Sequence, residues 1–252
     1  MPTYEEEFRT IEPTLERWLS LLLLGKTIEV RGAGHFVREG SNIIVGNHCG
    51  AFKDIAVLFR SVPRHIFFTA NKQIFDQDEF NALIRNHLAC HLGGFGLALN
   101  SMLRPIKGAL VRFVSTNIGK VGTIPVNLSA GREGTRLEIR RYLEKGRAVI
   151  ALQGRGRVMP ADPHPYVSRF LRGTPAIAHI LYSEAGLSVP VTPVAIFGSH
   201  KPWLVPGRIK LNVGEPMYVG EFAGGLAGHV VEKFRSALEV RVKALFLDLL
   251  KD

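Results

Sequence analysis

Cysteine is nearly absent from this chain of 252 residues, which has only Cys49 and Cys90. Two cysteines are too few for the disulfide framework of a small secreted domain, and no cluster of cysteine and histidine has zinc-site spacing. No apolar run approaches the roughly 20 residues that a membrane-spanning helix needs. The first residues are acidic, unlike the basic start of a signal peptide. We therefore expect a cytoplasmic protein that meets a membrane only as a peripheral one, on its inner face.

Acidic residues are also fewer than basic ones. The chain has 22 Asp and Glu and 32 Lys and Arg, which gives a formal net charge of +10. Such an excess indicates an anionic partner: nucleic acid, an anionic membrane surface or a phosphorylated substrate. No basic stretch is interleaved with aromatic residues, so we expect no nucleic-acid partner. Hydrophobic residues make up 46% of the chain, which is typical of a folded globular protein.

Strand and helix patterns alternate along the chain. The predicted strands are residues 27–31, 43–45, 63–70, 121–126, 148–152, 189–196 and 208–213. Helical patterns cover an amphipathic segment in residues 1–25, an insertion at 76–118, residues 135–145 and a closing helix at 228–251. This alternation predicts an α/β fold with a largely parallel sheet flanked by helices, formed by residues 1–252 as a single domain.

His48 and Asp54 are the first candidates for chemistry. The buried strand at residues 43–45 is expected to break at Gly46, and the next helical pattern begins near Asp54. Histidine at the mouth of a helix, with a carboxylate in its first turn, suits a general base whose tautomer the carboxylate fixes. An alternative is a helix-capping Asn47 beside a buried, hydrogen-bonded histidine.

A second candidate is the loop after the strand at 148–152, which contains Gln153, Gly154, Arg155 and Arg157. Two arginines separated by glycine suit a phosphate, because guanidinium binds it bidentately and glycine lets the backbone approach. An ordinary basic loop is the alternative. The carboxyl ends of parallel strands meet at one edge of a sheet, so His48 and this loop should lie at the same crevice.

Two segments have the pattern of membrane-surface elements. The four leucines at residues 21–24 make the end of the first helix apolar all round. Arg104, Lys107 and Arg112 alternate with apolar residues, and Pro105 should kink this segment. Both patterns suit an anionic bilayer surface. The alternative is a helix pair packed on the domain with a solvated basic face.

Four blocks in this order resemble the glycerolipid (lysophospholipid) acyltransferase family, which includes the 1-acylglycerol-3-phosphate acyltransferases. The matching stretches, within about residues 15–220, are Asn47-His48 with Asp54, residues 122–126, the third-block loop at 153–157 with its lead from 143, and the strand at 189–196.

The chain departs from the family pattern at several positions. Five residues separate His48 from Asp54 instead of four, so the pair needs a bulge or a shifted helix start. Gln153 replaces the family glutamate, and the third-block arginine moves to 155 or 157. Asn127-Leu128 stands where the second block usually ends in arginine, and residues 76–118 exceed the usual connection. The family's third-block letters Glu-Gly-Thr-Arg do occur at residues 133–136, but before the helix that leads into the third block, and we interpret this match as a coincidence.

The resemblance implies transfer of a fatty acyl group from a thioester, acyl-CoA or acyl-ACP, to a hydroxyl of a glycerolipid or lipid-like alcohol. It implies that His48 deprotonates the hydroxyl and that Asp54 orients His48, with no metal, no other cofactor and no acyl-enzyme. The implied substrate-binding residues are Gly122, Thr123, Ile124, Pro125, Gln153, Gly154, Arg155 and Arg157. Cys49 is rejected as a nucleophile because adjacent residues rarely face each other. The rival hypothesis is a non-catalytic lipid-binding or membrane-surface protein that retains the fold.

Overall fold

The structure, a computed structural model, describes residues 4–102, 104–126, 133–203 and 205–251. Asn127, Leu128 and the side chain of Cys90 lie outside the described residues. The strands are β1 Lys26–Arg31, β2 Asn42–His48, β3 Ile66–Asn71, β4 Thr123–Val126, β5 Ala148–Gly154, β6 Val191–Phe197 and β7 Gly207–Val213. The helices are α1 Tyr4–Leu22, α2 Phe52–Ser61, α3 Gln77–Met102, α4 Arg104–Asn117, α5 Glu133–Glu144, α6 Gly173–Ala185 and α7 Ala227–Leu250.

The chain has a seven-stranded sheet and divides into two compact units. The larger unit, Thr14–Phe67 with Arg136–Asp252, contains the strand order β1-β7-β6-β2-β5. Neighbouring strands in this order are parallel except β6 and β7, which are antiparallel. Residues 42–47 of β2 are all buried, and α7 packs on β6 and β7. This unit therefore has its core around a central strand that ends at His48.

The smaller unit consists of Met1–Pro13 and Phe68–Thr135. In it the last four residues of β3 pair in parallel with β4, and α3 packs against α4. Pro105 is the second residue of α4, a position at which proline breaks no helical hydrogen bond. Within the described part of the chain, no helix is both long and apolar enough to span a membrane.

The predicted α/β fold with a largely parallel sheet is confirmed, whereas the boundary of one domain at residues 1–252 stays a prediction. The expected break at Gly46 is wrong, because β2 continues to His48. A Cβ built on Gly46 would lie 2.4 Å from the carbonyl oxygen of Val194, so glycine here lets β6 approach closely. Helix α6 was not predicted from the sequence. Its weak amphipathic pattern reflects apolar residues on several faces, since most of the helix is covered.

Candidate active site

Asn47 fixes the end of β2 to its surroundings in the larger unit. Its Nδ2 donates to the carbonyl oxygens of Ile196, at 2.9 Å, and Tyr166, at 3.1 Å. Its Oδ1 accepts from the backbone N–H of Ile196 at 2.8 Å. Asn47 is fully buried and does not cap α2, so the helix-capping interpretation is wrong for this residue. It instead joins the ends of β2 and β6 and thereby sets the position of the next residue, His48.

His48 and Asp54 form a hydrogen-bonded pair. His48 Nδ1 lies 2.8 Å from Asp54 Oδ2, and this oxygen also accepts from the backbone N–H groups of Cys49, at 3.0 Å, and Gly50, at 2.8 Å. Asp54 is completely buried, while the His48 side chain is 23% exposed. An ionised carboxylate only accepts hydrogen bonds, so Nδ1 is the donor, which leaves the lone pair of a neutral imidazole on Nε2. The pair therefore has the arrangement of a general base with its orienting acid.

A tight turn accommodates the extra residue between His48 and Asp54. Ala51 has φ 50° and ψ −125°, and the N–H of Lys53 donates to the carbonyl oxygen of Gly50 at 3.1 Å. These values are those of a type II′ turn with Ala51 at its first central position, which usually holds glycine. Among the described residues, Ala51 is the one non-glycine residue with positive φ. Helix α2 begins directly after it, at Phe52, and Asp54 is the third residue of that helix.

Gly50 allows a buried hydroxyl, that of Ser199, to approach the His48–Asp54 pair. A Cβ built on Gly50 would lie 2.3 Å from Ser199 Oγ and 2.8 Å from Asp54 Oδ1, so both atoms lie close to its Cα. Asp54 Oδ1 is buried and has no hydrogen-bond partner among the described residues. Ser199 is fully buried as well. Sequence reasoning missed Ser199, although it follows β6 at the same edge of the sheet.

His200, next in the chain, was also missed. Its ring lies edge-on to that of Tyr166, with centroids 5.0 Å apart. Burial, followed by the charges of Lys201 and Lys53, lowers the pKa of His200. This imidazole is therefore neutral near neutral pH and adds no charge beside Asp54. The sequence feature that could have identified His200 is its position shortly after the end of a strand, β6.

Cys49 points away from the chemistry, into the protein. Its Sγ lies 3.8 Å from the carbonyl oxygen of Ile196 and 3.7 Å from Ser199 Oγ. Burial, followed by the charge of Asp54, raises the pKa of Cys49 to about 12. A thiol nucleophile acts as the thiolate, so this side chain is unsuited to nucleophilic attack.

Cys49 is expected to resist alkylation in the native protein. With a pKa of about 12, the thiolate fraction at pH 8 is about 10⁻⁴. A Cys90→Ser variant leaves Cys49 as the single cysteine. Native protein should stay unmodified by iodoacetamide for hours, as measured by mass spectrometry, while protein unfolded in urea should label fully. Stoichiometric labelling of the native variant within minutes would contradict this assignment.

The third-block loop passes over His48. His48 and Gly154 are register partners on β2 and β5, and a Cβ built on Gly156 would lie 3.3 Å from His48 Nε2. Gly154 has φ 131° and Gly156 has φ 69°, values that favour glycine. The side chains of Arg155 and Arg157 are exposed on this loop. The structure therefore brings together His48, Asp54 and the loop, as expected from adjacent parallel strands.

The side chain of Gln153 is hydrogen-bonded to backbone groups of the larger unit. Its side chain is buried, its Oε1 accepts from the backbone N–H of Leu171 at 2.9 Å, and its Nε2 donates to the carbonyl oxygen of Ala151 at 3.1 Å. The amide is thus committed to backbone groups and holds the segment before α6 against β5. Its place among the substrate-binding residues stays a prediction.

The second-block residues lie in the smaller unit, where they form the start of β4. Gly122 accepts a hydrogen bond from the N–H of Phe68 at 3.1 Å. Thr123 and Ile124 are buried, whereas Pro125 is exposed. These residues are part of the β3–β4 pairing, and their role in substrate binding stays a prediction.

Comparisons with known proteins place the fold. No protein-family model and no curated protein matches the chain. The crystal structure of the 1-acyl-sn-glycerophosphate (LPA) acyltransferase PlsC from Thermotoga maritima is similar, with a TM-score of 0.58 and 20% sequence identity. The match covers 98% of this chain and 81% of that one. At this level of identity the likeness concerns the fold, and the chain therefore has the α/β fold seen in that acyltransferase.

Proposed function

We propose that this protein is an O-acyltransferase that moves a fatty acyl group from acyl-CoA or acyl-ACP to a hydroxyl of a glycerolipid or lipid-like alcohol. One observation carries the proposal: the His48–Asp54 pair, joined at 2.8 Å, lies at the carboxyl end of the central strand. The side chain of His48 is 23% exposed, and its Nε2 is next to Gly156 of the third-block loop. The fold shared with a lysophosphatidic acid acyltransferase supports the same conclusion.

The proposed reaction needs one base and one orienting acid. His48 Nε2 takes the proton of the acceptor hydroxyl as its oxygen attacks the thioester carbonyl carbon. The new C–O bond forms, the C–S bond breaks, and the departing thiolate takes the proton back from His48. Asp54 keeps Nδ1 as a donor and stabilises the imidazolium that forms in between, as in hydrolytic triads. The acyl thioester is a co-substrate, and we propose no further cofactor.

The assay for this proposal uses purified protein, labelled acyl-CoA or acyl-ACP, and a panel of lyso-lipids and lipid-like alcohols. Formation of labelled ester that depends on both protein and acceptor is the expected result. Tight binding of a lyso-lipid without ester formation from either donor would overturn the proposal. It would favour the alternative, a non-catalytic lipid-binding protein with this fold.

Lysophosphatidic acid is expected not to be the best acceptor. The arginines that close the second and third blocks in the family are replaced here by Leu128 and Gly156. Losing one charged hydrogen bond costs about 1.5–3 kcal/mol, which shifts preference between acceptors roughly ten- to a hundredfold. A different lyso-lipid or lipid-like alcohol should be acylated faster in competition assays.

Arg155 and Arg157 are both exposed on the third-block loop and are the candidates for contacting a phosphate there. We expect Arg155→Ala or Arg157→Ala to raise KM for phosphate-bearing acceptors. Arg169→Ala, which removes another exposed arginine, serves as the control. The expectation is contradicted if lysophosphatidic acid is the fastest acceptor and both loop variants leave its kinetics unchanged.

We also propose an anionic membrane surface, on the cytoplasmic side, as the place where a lipid acceptor is met. In the smaller unit Arg104 and Arg112 are exposed on α4. Lys107 instead donates to Asn100 Oδ1 at 2.8 Å, and its pKa is lowered by partial burial and by Arg85 and Arg104. The exposed arginines suit anionic headgroups, with binding that weakens as salt rises.

A further inference from the structure

Hydrogen bonds hold the segment after β6 against two other elements of the larger unit. Trp203 Nε1 donates to the carbonyl oxygen of Leu21, at the end of α1, at 2.6 Å. Lys26 Nζ, at the start of β1, donates to the carbonyl oxygens of Pro202, at 2.9 Å, and Val205. The indole ring is therefore fixed in place while it remains 42% exposed.

Exposed apolar residues lie on this segment and on the elements that are hydrogen-bonded to it. We use the term docking face for Leu21, Leu24, Phe52, Trp203 and Val205, all of which lie in the larger unit. Each is between 42% and 53% exposed. Single exposed apolar residues are common on proteins, whereas a group of them on neighbouring elements marks an interaction surface.

The polar groups around the docking face are mainly cationic. Lys53, next to Phe52, donates through Nζ to the carbonyl oxygen of Lys201, which joins the start of α2 to the same segment. Lys26 and Lys53 both donate to carbonyl oxygens of this segment, so two ammonium groups lie beside it. Glu16, an acid near this rim, lies 3.7 Å from Arg60 and is thereby partly neutralised.

The docking face is also close to the candidate active site. Phe52 is the first residue of α2 and directly follows Ala51. A Cβ built on Gly156 would lie 3.3 Å both from Ala51 Cα and from His48 Nε2, so the turn before Phe52 borders the reactive nitrogen. Phe52 therefore joins the docking face to the candidate active site along the chain.

We infer that the docking face seats on an anionic phospholipid bilayer, with Trp203 at headgroup level and His48 close to the bilayer surface. Apolar side chains that enter the interface, with exposed basic side chains such as Arg17 and Lys201 beside them for lipid phosphates, are typical of peripheral membrane proteins. Tryptophan is enriched at this level because its ring is apolar and its N–H is polar. A second copy of the chain fits less well, since its docking face carries the same positive charge.

Binding can be measured without turnover by using the two tryptophans, Trp18 and Trp203. In a Trp18→Phe variant, Trp203 is the single fluorophore. With phosphatidylglycerol vesicles its emission should shift to the blue and be quenched by lipids brominated on their acyl chains. Phosphatidylcholine vesicles should give a much smaller change, and high salt should weaken the response. Absence of a shift and of quenching with anionic vesicles would overturn the inference.

Matched variants test which surface of the protein binds the vesicles. In vesicle co-sedimentation, Trp203→Ala and Leu24→Ala should weaken binding by about tenfold or more, because buried apolar area contributes directly to interfacial affinity. Leu226→Ala and Leu247→Ala remove exposed leucines outside the docking face and should change nothing. Equal losses in these controls, or a loss confined to Arg104→Ala, would contradict the inference. A dimer that dissociates in Trp203→Ala, seen by sedimentation velocity, would assign the face to a second copy instead.

Activity separates this inference from the proposed function on which it rests. Trp203→Ala should acylate a monomeric short-chain acceptor at the normal rate and a vesicle-embedded acceptor more slowly. Vesicle insertion without any ester formation would leave the docking face correct and the proposed reaction wrong. Ester formation at vesicles with no Trp203 insertion would leave the proposed reaction correct and the docking face wrong.

Discussion

Replacing His48 by alanine is expected to lower turnover by about 10²–10⁴-fold, the usual contribution of a general base. The fold should persist, because the imidazole is partly exposed and Asp54 keeps its bonds from the backbone of Cys49 and Gly50. Steady-state rates with the best acceptor of the panel measure the effect, and circular dichroism checks the fold. His229→Ala, which removes an exposed histidine of α7, is the control.

Asp54→Asn should cause a smaller loss than His48→Ala. The asparagine Oδ1 can take the place of the carboxylate oxygen that accepts from His48, so orientation is partly retained while the negative charge is lost. Full activity in folded His48→Ala protein would refute the mechanism. A larger loss in Asp54→Asn than in His48→Ala would contradict the assignment of His48 as the base and Asp54 as the residue that orients it.

Gly156→Ala is expected to lower turnover by about 10²-fold, because a small misplacement of the reacting groups has an effect of that size. The added methyl would lie 3.3 Å from His48 Nε2 and 3.4 Å from Ala51 Cβ, in the space through which the hydroxyl must approach. KM for the acceptor and turnover should both worsen, whereas Cys90→Ser should leave them unchanged.

A Gly186→Ala variant shows whether Gly156→Ala acts by blocking the approach to His48 Nε2 or by straining the backbone. Gly186 caps α6 with φ 63°, close to the φ of 69° at Gly156, and a Cβ there would meet nothing within 4 Å. Both variants should lose about 1–2 kcal/mol of unfolding free energy, the cost of a left-handed conformation for alanine. Only Gly156→Ala should lose activity. Similar activity losses in the two variants would show that strain, and not the approach to Nε2, is responsible.

The placement of the site was predictable because it depends on local sequence and on one rule of sheets. His48 and Gly154 end two apolar runs, and parallel neighbours bring such ends together. The contacts that hold the site were not predictable, because their partners are distant in sequence. Asn47 bonds to Ile196, and Gln153 bonds to Leu171, so each amide could have been assigned to capping or to substrate binding.

The turn at residues 50–53 has a consequence for recognising distant relatives of this chain. Removing one residue from a helix rotates everything that follows by about 100°, which would carry Asp54 away from His48. Here the additional residue lies before the first helical residue, Phe52, where the positive φ of Ala51 turns the chain back. The turn thus lets a pair with five intervening residues reach a distance of 2.8 Å between His48 Nδ1 and Asp54 Oδ2. A search that requires four intervening residues would pass over such proteins, and one that permits a glycine-containing turn before the helix would find them.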